Sequence, residues 1–132
     1  MQVENLSGTL LDYWTARAMD LDIHPAFAVV VRLGQLAPPL AVRDKGSLDE
    51  YSVFSPSSAP DDFAKVVVDV EFTVRHEESP FLGDFVMAAV EHVPGTPLPK
   101  GGGWYCSSDF FEAALRALVS YRLGHEVSDI VT

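Results

Sequence analysis

The chain has 132 residues, which is enough for one domain with its own hydrophobic core. Hydrophobic residues make up 48% and charged residues 21% of the chain, which is typical of a globular protein and excludes intrinsic disorder. Nineteen acidic against nine basic residues give a formal net charge of −10, which disfavours direct binding to a nucleic-acid backbone.

The sequence shows no sign of secretion or of membrane insertion. No apolar run approaches the roughly 18–20 residues that span a bilayer. The opening MQVENLSGT lacks both the basic and the apolar region of a signal peptide. The single cysteine, Cys106, excludes an intramolecular disulfide framework. We therefore expect one domain over residues 1–132, located in the cytoplasm and not bound to a membrane.

The first predicted element is a helix that begins near Ser7, a residue type that caps helices. The apolar residues after it recur at helical spacing, at Leu10, Leu11, Trp14 and Ala18. We expect the helix to end at the acidic DLDI segment and Trp14 to lie in the core. The next segment, PAFAVVVRL (25–33), alternates apolar side chains and predicts a strand. A turn at Pro38-Pro39 follows.

Residues 43–64 form the longest segment without a periodic pattern and are rich in serine, proline and acidic residues. A loop of this length is either functional or loosely constrained. Its aromatic residues, Tyr51, Phe54 and Phe63, either anchor the loop to the core or belong to a binding patch.

The segment 65–75, KVVVDVEFTVR, predicts a half-buried strand. Its expected buried face comprises Val66, Val68, Val70, Phe72 and Val74. A turn is expected over 76–83 and a returning strand over 85–93, where an Ala-Ala pair leaves a short helix as an alternative. A turn-rich loop over 94–103 and a short strand over 103–107 complete this half of the chain.

The last predicted element is an amphipathic helix, with Asp109 as a candidate N-cap and Glu112 at capping-box spacing. Its apolar stripe consists of Phe111, Leu115, Leu118 and Val119, and Gly124 is suited to its end. The element pattern predicts an α+β domain, in which a mostly antiparallel sheet of four to five strands carries an N-terminal and a C-terminal helix.

Three segments of the chain follow a pattern shared by a group of known proteins. The opening helix matches it at Leu6, Gly8, Leu11, Asp12, Tyr13, Ala16 and Ala18. A mid-chain segment matches at Phe54-Ser55-Pro56-Ser57. The closing helix matches at Ala113, Ala114, Arg116, Val119, Leu123, Gly124, Glu126 and Val127. With these segments the chain resembles a family of small phage and prophage proteins, the lambdoid NinX-type proteins, although its centre departs from the pattern. The resemblance implies an accessory phage protein and implies no particular chemistry.

Catalytic chemistry has one candidate, Cys106. A thiol near a helix N-terminus can be activated, and His92 and Asp109 would be its first partners to inspect. The alternative is that Cys106 is a small buried apolar residue.

Metal and phosphate motifs are not found, and we expect no cofactor. His76-Glu77-Glu78 and Glu91-His92 lack the spacing that places two imidazoles on one helical face. Lys100 precedes its glycines, whereas in a phosphate loop the lysine follows them. The acidic residues of the 43–64 segment lack the order of a calcium loop. A spatial pair of carboxylates stays open, because such a pair leaves no sequence spacing.

The absence of catalytic motifs favours a binding protein over an enzyme. We expect a protein partner with a basic surface, recognised through an acidic and aromatic patch. The candidate residues are Tyr51, Phe54, Asp61, Asp62, Phe63, Trp104 and Tyr105. Two alternatives stay open. One is a small-ligand binder or enzyme with a pocket under the 43–64 segment. The other is a homo-oligomeric structural component, such as a homodimer, that pairs through strand edges.

Overall fold

The computed structural model describes residues 1–27, 40–81, 83–95 and 98–128. Within these ranges the chain forms three α-helices: α1 (Gly8–Ala18), α2 (Pro60–Val67) and α3 (Phe110–Leu123). The same ranges contain six strands: β1 (Asp22–Ile23), β2 (Ala41–Arg43), β3 (Ser52–Val53), β4 (Glu71–Ser79), β5 (Gly83–His92) and β6 (Tyr105–Ser107). The predicted α+β class is confirmed.

The strands form two sheets, which corrects the expectation of one sheet of four to five strands. In the described residues, β1, β2 and β3 make a small antiparallel sheet, and β4, β5 and β6 make a larger one. In the chain, α2 lies between the last strand of the small sheet and the first strand of the larger one. The 43–64 segment therefore holds the end of β2, all of β3 and the start of α2, and it is less irregular than expected.

The first part of the strand predicted over 65–75 is wrong, because residues up to Val67 belong to α2. Pro60 occupies the first turn of α2 together with Asp61 and Asp62, and all three suit a helix N-terminus. These local signals outweigh the β preference of the valines. The predicted buried face is retained only in part. Val66 is buried, and Val70 and Phe72 are half-buried against the core, whereas Val68 is 75% exposed.

The β4–β5 hairpin confirms the returning strand and excludes the short helix at the Ala-Ala pair. Its strands run further than expected, since β4 continues to Ser79 and pairs there with Gly83. Gly83 has a positive φ of 75°, a conformation that glycine adopts without strain. Val74, expected to be buried, is 38% exposed because β4 lies at the end of its sheet.

Both terminal helices are confirmed, and so is the short strand before the closing helix. Ser7 occupies the N-cap position of α1, although its side chain makes no capping bond. The Asp109 carboxylate accepts a hydrogen bond from the Phe111 amide at 2.9 Å and caps α3. Glu112 does not close a capping box, because its carboxylate pairs with Arg116 at 2.7 Å.

The core lies where α3 packs against β5, β6 and α1. Apolar side chains from all four elements are buried there, and Trp14 is 7% exposed, as expected. The largest completely buried side chains include Leu6, Leu11, Leu115 and Leu118. Burial of this apolar area is the main stabilising contribution to the fold.

Arg116 of α3 joins three parts of the fold. Its Nε donates to the Leu6 carbonyl at 2.8 Å and its Nη1 donates to the Cys106 carbonyl at 3.0 Å. The residues at the start of the chain also pair with those after α3. The Val3 amide donates to the His125 carbonyl, and the Val127 amide donates to the Met1 carbonyl, both at 2.9 Å.

Two expectations fall mainly outside the described residues, namely the strand over 25–33 and the turn at Pro38-Pro39. At the start of that predicted strand, Ala26 and Phe27 have helical backbone. None of the helices in the described ranges combines the length and the apolar character needed to cross a membrane.

Candidate functional site

Tyr51 is held at the small sheet by two charged side chains. Its hydroxyl donates to Asp22 Oδ2 at 3.0 Å, and the Arg43 guanidinium lies 4.3 Å above its ring. Arg43 Nε also donates to Asp22 Oδ2 at 2.7 Å, and this bond, with the Tyr51 bond, holds the pKa of Asp22 below its ordinary value. Desolvation, reinforced by the bond to Asp22, raises the pKa of Tyr51. Tyr51 therefore anchors the 43–64 segment.

The Phe54–Ser57 motif is held by two carboxylates. The Ser57 amide donates to Asp12 Oδ1 at 2.8 Å, and the Ser55 amide donates to Asp62 Oδ2 at 2.9 Å. Asp12 is only 4% exposed, and burial raises the pKa of its carboxyl, with the nearby charge of Asp62 adding to the effect. Each carboxylate accepts a backbone amide, so this spatial pair supports the structure of the loop.

The predicted aromatic patch is divided by the fold. Phe54, Phe63 and Tyr105 are each less than 10% exposed and lie in the core, where Phe63 stacks on Phe111 with ring centroids 4.1 Å apart. Trp104 is 42% exposed and lies beside Arg75 at the larger sheet. Of the seven candidate residues, only Trp104 and Asp61 are exposed.

A cleft of about 360 Å³ lies between the small sheet and α2, beneath the 43–64 segment. Its lining combines apolar residues with charged residues of both signs. The apolar residues include Met19, Leu21, Val42, Phe54 and Val66, and the charged residues are Arg43, Asp44, Asp49, Glu50, Asp62 and Lys65. This volume is at the lower end of the range for small-molecule sites.

Cys106 is exposed, which corrects the expectation of a buried apolar residue. It lies opposite Met87 in the β5–β6 pair, five residues from His92, or roughly 17 Å along the strand. Asp109 uses its carboxylate to cap α3. His76 is in register with Val86, one position from Met87, so it points to the other face of the sheet. The cysteine–histidine–aspartate arrangement is therefore not assembled from these residues.

A polar cluster that the sequence did not reveal lies at the end of α3. The Tyr105 hydroxyl donates to Ser120 Oγ at 2.8 Å, and His125 Nδ1 lies 2.8 Å from the same hydroxyl. Ser120 is completely buried, so its hydroxyl is inaccessible to a substrate. Gly101 packs against Ser120 so closely that an added Cβ would lie 2.7 Å from its carbonyl oxygen. The close approach explains a glycine at this position of the glycine run.

The outer end of the β4–β5 hairpin, residues 76–81 and 83–84, is named the acidic hairpin end. Glu78 lies directly opposite Asp84 in the register, and both are exposed. Phe81 in the turn is 94% exposed. A shallow groove of about 320 Å³ runs beside these residues to Ser108. No group of three or more His, Cys, Asp or Glu side chains in the described ranges is arranged to hold a metal ion.

Comparison of the chain with models of known protein families and with curated proteins finds no match.

Proposed function

We propose that this chain acts by binding another protein that has a basic surface, and that the acidic hairpin end makes the contact. The observation that carries the proposal is the pairing of Glu78 with Asp84 beside a nearly fully exposed Phe81. Like charges directly opposite each other destabilise a strand pair. An exposed aromatic side chain likewise contributes little to the fold, whereas aromatic residues contribute strongly to protein interfaces.

The opposed carboxylates and the exposed aromatic ring would both be stabilised by contact with a basic partner. Its cations would relieve the repulsion between Glu78 and Asp84, and an apolar pocket would bury Phe81. The net charge of −10 would in addition accelerate encounter with a positively charged surface. The interaction should therefore weaken as salt is added.

The sequence resemblance to the NinX-type family supports a phage or prophage setting for this activity. An acidic accessory protein in that setting would occupy a basic surface of a host or phage protein that otherwise faces nucleic acid. The chain itself would not contact the nucleic acid, because its charge repels phosphate. Two of the residues that carry the resemblance lie in the scaffold and not at the proposed contact. Asp12 bonds to Ser57 and Arg116 bonds to Leu6, so they maintain the scaffold.

The test is capture of partners by the tagged chain from bacterial lysate at about 50 mM and about 500 mM salt. The proposal expects a stoichiometric partner that is retained at low salt and lost at high salt. The double variant Glu78→Gln/Asp84→Asn should fail to retain the partner at either salt concentration. The matched control Asp44→Asn/Asp69→Asn removes the same charge from two exposed residues elsewhere and should retain it. Equal capture by both variants would reject the acidic hairpin end as the contact.

The cleft under the 43–64 segment favours a second candidate, a small-ligand binder. Its support is a cleft lined both by apolar side chains and by charges of both signs. A ligand found by thermal-shift screening should lose its effect in Val53→Trp, because Val53 lines the cleft and is 62% exposed. Leu48→Trp is the control, since Leu48 is 99% exposed and does not line the cleft. A shift that survives Val53→Trp would exclude this cleft.

A further inference from the structure

Among the described residues, β4 forms the longer of the two edges of the larger sheet. β4 lies at the end of the order β4-β5-β6, and β5 is its only strand partner within the described ranges. Its nine residues run from Glu71 to Ser79, and none of them is buried. The one irregularity in its register lies at Glu71/Phe72, so pairing from Phe72 to Ser79 is continuous.

An edge of this kind presents hydrogen-bonding groups in a regular row. In an antiparallel pair, alternate residues direct their amide and carbonyl groups away from the partner strand. The amide and carbonyl groups of alternate β4 residues therefore point away from β5. Their spacing fits the hydrogen-bonding groups of another strand. Natural edge strands are often blunted by proline, lysine or a central bulge. β4 contains neither proline nor lysine, and its irregularity is confined to the first step.

We propose that β4 receives an extended segment of the partner as a fourth strand, and that this segment carries lysine or arginine at alternate positions. The inference rests on the proposed function, because it specifies how the basic partner is held. Main-chain hydrogen bonds to the β4 edge would supply affinity, and alternate side chains would supply specificity.

The charges around the edge select this occupant. Glu78 and Asp84 lie on one face of the hairpin, and Val74 is on the same face four residues further along β4. An added strand with cations at alternate positions can place one beside Glu78, and its aliphatic stems can cover Val74. A second copy of the chain would bring another net charge of −10 and a second set of these carboxylates. Repulsion therefore disfavours a homodimer through β4 at neutral pH.

The test uses the full chain and a peptide of alternating lysine and valine, matched to the nine residues of β4. A second peptide of the same sequence carries N-methyl groups on alternate amides, which keeps every charge and removes the donors on one edge. Binding is followed by amide chemical shifts at low salt. The expected result is shifts concentrated on β4, with affinity at least about tenfold weaker for the N-methylated peptide.

Equal affinity of the two peptides would overturn strand addition while leaving a basic partner in place. A second outcome would also overturn strand addition alone. In that outcome neither peptide binds, but the acidic hairpin end still captures a partner in a salt-sensitive way. Loss of that capture would remove the proposed function and the inference together. A molecular mass of two chains at neutral pH, with the β4 amides shifted on dilution, would show that a second copy occupies the edge and would reject the basic strand.

Discussion

At the scale of single residues, the clearest result is that buried polar groups hold the 43–64 segment in place. Asp12 is the central case, since its carboxylate is buried in α1 and accepts the Ser57 amide at 2.8 Å. Removal of the acceptor would leave the partly buried Ser57 amide without this partner. Asp12→Ala should therefore lower the free energy of unfolding by about 1–3 kcal/mol, as measured by chemical denaturation.

Asp12 also predicts a pH dependence of stability. Burial raises the pKa of its carboxyl, so the folded chain binds a proton at pH values where the unfolded chain, with a pKa of about 3.9, releases it. The contribution of Asp12 to stability therefore falls as pH rises through the folded pKa. Asp12→Asn keeps an acceptor for Ser57 and does not titrate. Wild type should gain stability relative to Asp12→Asn as pH is lowered from 7, and a constant difference across this range would contradict the assignment.

Gly101 offers a second test at this scale. An added Cβ would lie 2.7 Å from both the carbonyl and the hydroxyl oxygen of Ser120, so Gly101→Ala must displace the end of α3. Overpacking of this kind costs about 1–3 kcal/mol in denaturation measurements. Gly102→Ala is the control, because a Cβ at Gly102 meets nothing within 4 Å. Equal stability of the two variants would show that the contact is not tight.

At the scale of elements, the terminal helices were predictable from sequence and the segment between them was only partly so. α1 and α3 have apolar residues at helical spacing and capping residue types at their starts, and these signals are local, although only Asp109 of α3 makes a capping bond. The valines of 65–75 show that periodicity does not by itself determine secondary structure. Their alternation predicts a strand, but Pro60 and two aspartates start a helix that continues to Val67. Periodicity alone could not show which of the two signals would prevail.

The candidate site was less predictable than the fold. Composition indicated aromatic and acidic residues, but Phe54 and Phe63 differ from Phe81 only in what packs on them. The opposition of Glu78 and Asp84 depends on the hairpin register, and that register was hidden because the turn was expected over 76–83. A turn placed at 80–82 would have revealed the pair from sequence.

The hairpin makes a prediction about stability as well as binding. Glu78→Gln removes one of two like charges that lie opposite each other, so it should raise the melting temperature by about 1 °C while it weakens partner capture. Differential scanning calorimetry can resolve a shift of this size. Glu71→Gln is the control, because Glu71 is exposed at the other end of β4 and lies opposite His92. A lower melting temperature for Glu78→Gln would refute the repulsion.

At the scale of the whole molecule, charge and the open β4 edge act against each other. The net charge of −10 at neutral pH keeps two copies apart, although each carries a strand edge that could pair. We expect the chain to be monomeric at pH 7 by light scattering. Near its isoelectric point of about 4.6 the repulsion vanishes, and self-association should appear. The substitution Val74→Lys, in the middle of the β4 edge, should suppress that self-association.

The packing of α1 against α3 also governs the order in which the chain can fold. α1 buries its apolar face on an element that begins about 90 residues later, and Arg116 reaches back to the Leu6 carbonyl. During synthesis, α1 leaves the ribosome long before its packing partner exists. The β4–β5 hairpin, whose contacts are local, can form first. The core should therefore close only after α3 has emerged, and truncation before Phe110 should leave Leu11 and Trp14 exposed to chaperones and proteases.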